Sequence, residues 1–173
     1  MKAGRIIDMQ KSGFSDPDTL PELPVSFWHM CASILKAWKS MTSLLSEEWT
    51  ALKNRDLEKL SGISEKKCGL CKLLENMESR LGHAVDSILH KYGLETGPDR
   101  WENLRLITST SDISRLENWM AECRKLREEA LSVNIRHRNW LEDQYQLSRE
   151  LMAILCNRKT AGRTVYGPEG RLT

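Results

Sequence analysis

From Ser111 to about Asn157 the chain contains no Pro or Gly, and every seventh residue along one line is apolar: Trp119, Leu126, Val133, Trp140, Leu147 and Ile154. A second line three residues earlier holds Leu116, Cys123, Ala130, His137, Gln144 and Leu151. Together they alternate in steps of three and four, the seam of a long helix that packs against other helices. Ser111 or Asp112 can cap its first turn by accepting a backbone N–H bond. At about 1.5 Å per residue such a helix is on the order of 70 Å long. It cannot bury that seam against itself, so the rest of the chain or a partner must cover it.

Two shorter seams precede it. The first starts near Val25 or Ser26 and reads Phe27, Cys31, Ile34, Trp38, Met41, Leu45, Glu48, Leu52; the second reads Leu60, Ile63, Lys67, Leu70, Leu74, Met77, Leu81, Ala84, Ile88. Leu52 and Leu60 are out of heptad phase, and Asp56, a good N-cap residue, sits in the slip. The two seams therefore predict an antiparallel hairpin. Its register places Leu52 with Ile63, Leu45 with Leu70, Met41 with Leu74 and Trp38 with Met77. Glu48 then faces Lys67, so the two charges within the seams have opposite sign; they either pair and set register or both reach solvent along their apolar stems. Tyr92-Gly93 ends the second helix, with Gly93 suited to a left-handed C-terminal position. A short amphipathic piece with Trp101, Leu104 and Ile107 follows.

Residues 1–24 carry Pro17, Pro21 and Pro24 and too few apolar residues for a core, and read as a flexible leader. Residues 25–157 form the helical domain. Residues 158–173, with Gly162, Gly167, Pro168 and Gly170, read as a flexible polar tail. The predicted fold is all-α: an antiparallel helical hairpin plus a long third helix, a three-helix coiled-coil-like bundle whose long helix overhangs at one end.

Composition narrows the function. A net charge of +2, with the signs well mixed, gives no concentrated basic face for nucleic acid or an acidic membrane. No apolar run approaches the roughly 20 residues that span a bilayer, and the N-terminus lacks the apolar core of a secretory signal, so the expected location is the cytoplasm. Five Cys, an odd number spread over helical segments, suit reduced thiols rather than a disulfide framework. Cys68-Gly69-Leu70-Cys71 is a C-x-x-C, but a zinc site needs two more ligands and His83 lies on another line. Two small half-buried residues on a helix is the plainer reading, and Gly62 and Gly69 can allow a close helix approach. His137 has no nucleophile or paired carboxylate placed beside it, and no phosphate-binding glycine loop is present. No catalysis, cofactor or metal is expected. Six Trp in a chain with 6 % aromatic residues mark apolar faces; Trp140, in the overhanging half, is either core or an anchor for a partner.

Several stretches resemble FlgN-like flagellar export chaperones. They are Glu48-Trp49-Thr50-Ala51-Leu52, then Leu60, Ile63 and Lys67 in an L-x-x-L-x-x-x-K pattern with Arg80 beyond it, then Val133-Asn134 and Leu141-Glu142-Asp143-Gln144. The tail Thr164-Val165-Tyr166-Gly167-Pro168-Glu169-Gly170-Arg171 is similar to the family's Tyr-Gly-x-x-Gly ending. His137 and Arg138 stand where the family often has Asn-Gly, and the proline-bearing leader and several Trp are outside its pattern. The resemblance implies a non-enzymatic, cytoplasmic chaperone for the hook–filament junction proteins, also called hook-associated proteins, of the bacterial flagellum. Such chaperones hold aggregation-prone terminal segments and deliver them to the flagellar export gate. An amphipathic client segment laid along the open seam would meet Trp140, Leu147, Leu151, Ile154 and Leu155, with Tyr166 of the tail nearby; plain intramolecular core is the other reading of these residues. The alternative function is a structural coiled-coil module that scaffolds or self-associates, for example as a homodimer whose long helices cover each other.

Overall fold

The computed structural model describes residues 22–161, with side chains to Cys156. Four helices occupy them: α1 (Val25–Asn54), α2 (Leu57–Lys91), α3 (Arg100–Leu106) and α4 (Thr110–Ala161). No strand occurs among the described residues, so the fold is all-α. The chain divides after Ala130 into two compact units, which are described in turn.

In the first unit α1 and α2 form the antiparallel hairpin. The link between them is short because both helix ends are closed by local bonds. Arg55 takes the left-handed conformation (φ 57°), and its N–H and that of Asp56 donate to the carbonyls of Leu52 (3.1 Å) and Ala51 (3.0 Å). That is the paired C-terminal cap usually built on glycine. One residue later the Asp56 carboxylate accepts the Lys59 N–H at 3.0 Å and starts α2. Lys67 Nζ reaches both carboxylate oxygens of Glu48 at 2.9 Å, which fixes the predicted register and settles the two readings in favour of the ion pair. The apolar members of the α1 seam, from Phe27 through Ile34 and Leu45 to Leu52, are buried, except Trp38, which is half-buried.

Toward the C-terminal end of α2 the buried face turns away from the heptad line. Leu81, Val85 and Leu89 are buried there, whereas Ala84 and Ile88 are only half-buried. The cause is α3, which packs on this end of α2 and places Leu104 and, just after it, Ile107 in the core. Arg100 of α3 lies over Gly82, where a Cβ would come within 2.8 Å of its Nη1, and pairs with Asp86 at 3.3 Å. Gly82, not Gly62 or Gly69, is thus the close approach; nothing lies within 4 Å of a Cβ at either of those two. Gly93 (φ 68°) supplies the left-handed residue that closes α2, with the Leu94 N–H donating to Leu89 O at 3.1 Å.

The first turns of α4 join the same core. Leu116 is fully buried, and Trp119 Nε1–H donates to the Cys31 carbonyl of α1 at 2.8 Å. Trp119 also meets Trp101 of α3, with ring centroids 6.1 Å apart. Ion pairs at the margins, Lys39–Glu122 (2.8 Å) and Arg127–Glu78 (2.7 Å), link α4 to α1 and α2. The Arg115 guanidinium stacks 4.0 Å from the Trp28 ring centre. The cap differs from expectation: the Asp112 N–H points to Ser109 Oγ at 3.4 Å, while the Asp112 carboxylate is engaged by the Leu23 N–H at 2.7 Å. A buried backbone donor 89 residues away captures the side chain that the sequence offers to its own helix.

In the second unit, from Leu131 onward, α4 continues without a break to Ala161, beyond the Asn157 at which the sequence pattern ends it.

Candidate partner-binding surface

Between Leu131 and Cys156 no Gly or Pro interrupts the helix, and its polar residues bond mostly to one another along it. Arg138 Nε donates to Glu142 Oε1 at 2.8 Å, and Gln146 Nε2 to Glu150 Oε1 at 3.0 Å. The Ser148 hydroxyl donates back to the Gln144 carbonyl at 2.9 Å, and the Arg149 guanidinium stands 5.9 Å over the Tyr145 ring. The Arg138–Glu142 and Gln146–Glu150 pairs lie on one side of the helix, and apolar side chains occupy most of the other.

Along the α4 seam, exposure changes after Gln144. Val133, Trp140 and Gln144 are half-buried and His137 is buried, whereas Leu147, Leu151 and Ile154 are 50 %, 52 % and 54 % exposed. Leu155, at 56 %, lies beside them. Of the residues expected to meet a partner, then, four share one exposed face, Trp140 is half-buried, and Tyr166 lies outside the described residues. The sequence reading passed over three more: Leu141, Tyr145 and Met152 are also exposed, on the flank of the same face. Their signal was available, because Leu141, Tyr145 and Met152, spaced by four and seven residues, follow a second line beside the first. An apolar patch of this extent, edged by charge, is what an interaction site leaves exposed in the isolated chain. Covering each of these half-exposed side chains contributes about 1 kcal/mol.

The first unit holds a different concavity, a groove of about 640 Å³ among α2, α3 and the start of α4, with Trp101, Trp119, Met120 and Cys123 among its walls. Its charges are largely paired, Arg100 with Asp86 and Arg127 with Glu78. Burial pushes the Cys123 thiol up to about 11, and burial likewise pushes Cys31 up to about 12. Such thiols are protonated and weakly nucleophilic near neutral pH. Cys68 and Cys71 are exposed. Among the described residues, no group of three His, Cys, Asp or Glu could hold a metal ion.

An all-α chain whose longest helix keeps one apolar face exposed while its polar residues pair along the helix belongs to the class of helical partner-binding proteins. The family model described as FlgN protein matches residues 28–173, and the chain belongs to that family. It is thereby a flagellar export chaperone, of a non-enzymatic family that takes part in flagellum assembly and takes flagellar hook-associated proteins as its kind of partner. No curated protein and no solved structure matches the chain. Among the described residues, no helix is long and apolar enough to cross a membrane.

Proposed function

We propose that this chaperone acts in the cytoplasm, binding the terminal segments of the hook-associated proteins that form the hook–filament junction. It shields them from premature aggregation and delivers them to the flagellar export gate. The exposed apolar face of α4 between Leu141 and Leu155 carries the reading. An amphipathic client segment laid there as a helix replaces water on both surfaces, and no covalent chemistry is needed. Family membership supports the same class of partner.

Calorimetric titration of the full chain with C-terminal segments of the hook-associated proteins tests it. The parent binds at micromolar affinity or tighter. The variant carrying Leu151→Asp and Ile154→Asp, like a chain ending at Gln146, loses at least about tenfold in affinity. No heat with any client segment, from a chain that sediments as a dimer, would instead establish the self-associating module.

A further inference from the structure

The exposed face of α4 is wider than one helix covers. At about 100° per residue, Ile154, Leu147 and Leu151 lie within about 60° of one another on one line, and Leu141, Met152 and Tyr145 within about 40° on another. The centres of the two lines are roughly 130° apart on the same wheel, with Leu155 midway. A helix packing on a helix covers an apolar stripe of about 100°, so a single segment on either line leaves the other wet. A segment placed between the lines fares no better. There it lies over Gln144 and Ser148, the two polar residues inside the arc, and Ser148 Oγ already donates to the Gln144 carbonyl.

We infer that the client is held as two helices, one along Leu147, Leu151 and Ile154 and the other along Leu141, Tyr145 and Met152. The inference rests on the chaperone reading above. The charges at the two margins of the arc differ and distinguish the two occupants. Asp143 and Glu150 border the first line, whereas Arg149, over the Tyr145 ring, borders the second, the Arg138 beside it being paired with Glu142. The helix on the first line therefore carries Lys or Arg on its outer flank, and the helix on the second carries Asp or Glu. Two separate apolar lines with opposite borders fit two stretches of client chain that pair with each other as well as with α4, so that all three apolar faces are enclosed. The α1–α2 hairpin with α4 on it buries its apolar faces by the same geometry in the first unit.

The test places a photo-crosslinking p-benzoylphenylalanine at Ile154 in one preparation of the full chain and at Tyr145 in another. Each is bound to an intact hook-associated protein, irradiated, digested and sequenced by mass spectrometry. Two client segments well separated in sequence are expected, one from each position. In parallel, Leu151→Asp and Met152→Asp each weaken binding by about tenfold; both residues are exposed in the chain alone, so helical circular dichroism is retained. One client peptide from both positions, unchanged affinity in Met152→Asp, or crosslinks from Tyr145 to a second copy of the chaperone overturn the two-helix arrangement. The single-line chaperone reading survives any of those three results; it fails only if neither position yields client and the titration is blank.

Discussion

The Glu48–Lys67 pair offers a sharp test of what holds the hairpin in register. Both side chains are mostly enclosed, at 18 % and 21 % exposure, and the ammonium lies 2.9 Å from each carboxylate oxygen. Lys67→Met removes the counter-ion and leaves the carboxylate in a seam between Leu45 and Leu52. Breaking a fully buried pair costs about 3–5 kcal/mol and a solvent-exposed one about 0–1 kcal/mol. At this enclosure the expected loss is about 2 kcal/mol, a fall in melting temperature of roughly 4–8 °C for a chain of this size. Adding Glu48→Leu removes the stranded charge, and the double variant should return to within about 1 kcal/mol of the parent, because hydrophobic replacement of an enclosed ion pair is commonly neutral. Urea unfolding followed at 222 nm, with all four members of the cycle, measures both steps. If the double variant loses as much as the two single variants together, the coupling between the two side chains is zero, no stranded charge is being relieved, and this reasoning is wrong.

Two further predictions concern α2 and the thiols. Gly62→Ala and Gly69→Ala, at open helical positions, should each stabilise the fold by up to about 1 kcal/mol. Gly82→Ala should gain less or lose, since its methyl must displace the Arg100 guanidinium from Asp86; thermal melts of the three variants decide it. The raised thiols give a pH dependence of definite sign. An unfolded chain ionises its cysteines near 9, whereas Cys123 holds its proton to about 11 and Cys31 to about 12. The folded form therefore binds more protons above pH 9, and stability present below that pH is lost as pH rises toward those values. Urea midpoints at pH 8 and pH 10 should fall, and Cys31→Ala should flatten the slope.

The hairpin was legible because each of its devices is local in sequence. The phase slip after Leu52, the Asp56 cap and the opposed charges of Glu48 and Lys67 all depend on spacing alone. The α4 seam was legible for the same reason. What was missed depends on distant neighbours. Val85 and Leu89 enter the core because α3 folds back over the end of α2, and no heptad count contains that contact. Asp112 looks like a helix cap until the Leu23 N–H reaches it across the fold. The candidate surface is a different case: Leu141, Tyr145 and Met152, exposed one flank further round, were not among the residues named from the sequence as meeting a partner.

The position of the hairpin turn has a consequence for the order in which the protein is made. With Arg55 and Asp56 as the whole link, α1 and α2 meet through contacts close in sequence, which form fast, and domains fold as they leave the ribosome. The hairpin is complete in sequence at Lys91, before any residue of α4 has been synthesised. The apolar arc of α4 is translated after the whole hairpin. The apolar surface of α4, prone to stick to other nascent chains, thus emerges only after the hairpin that precedes it.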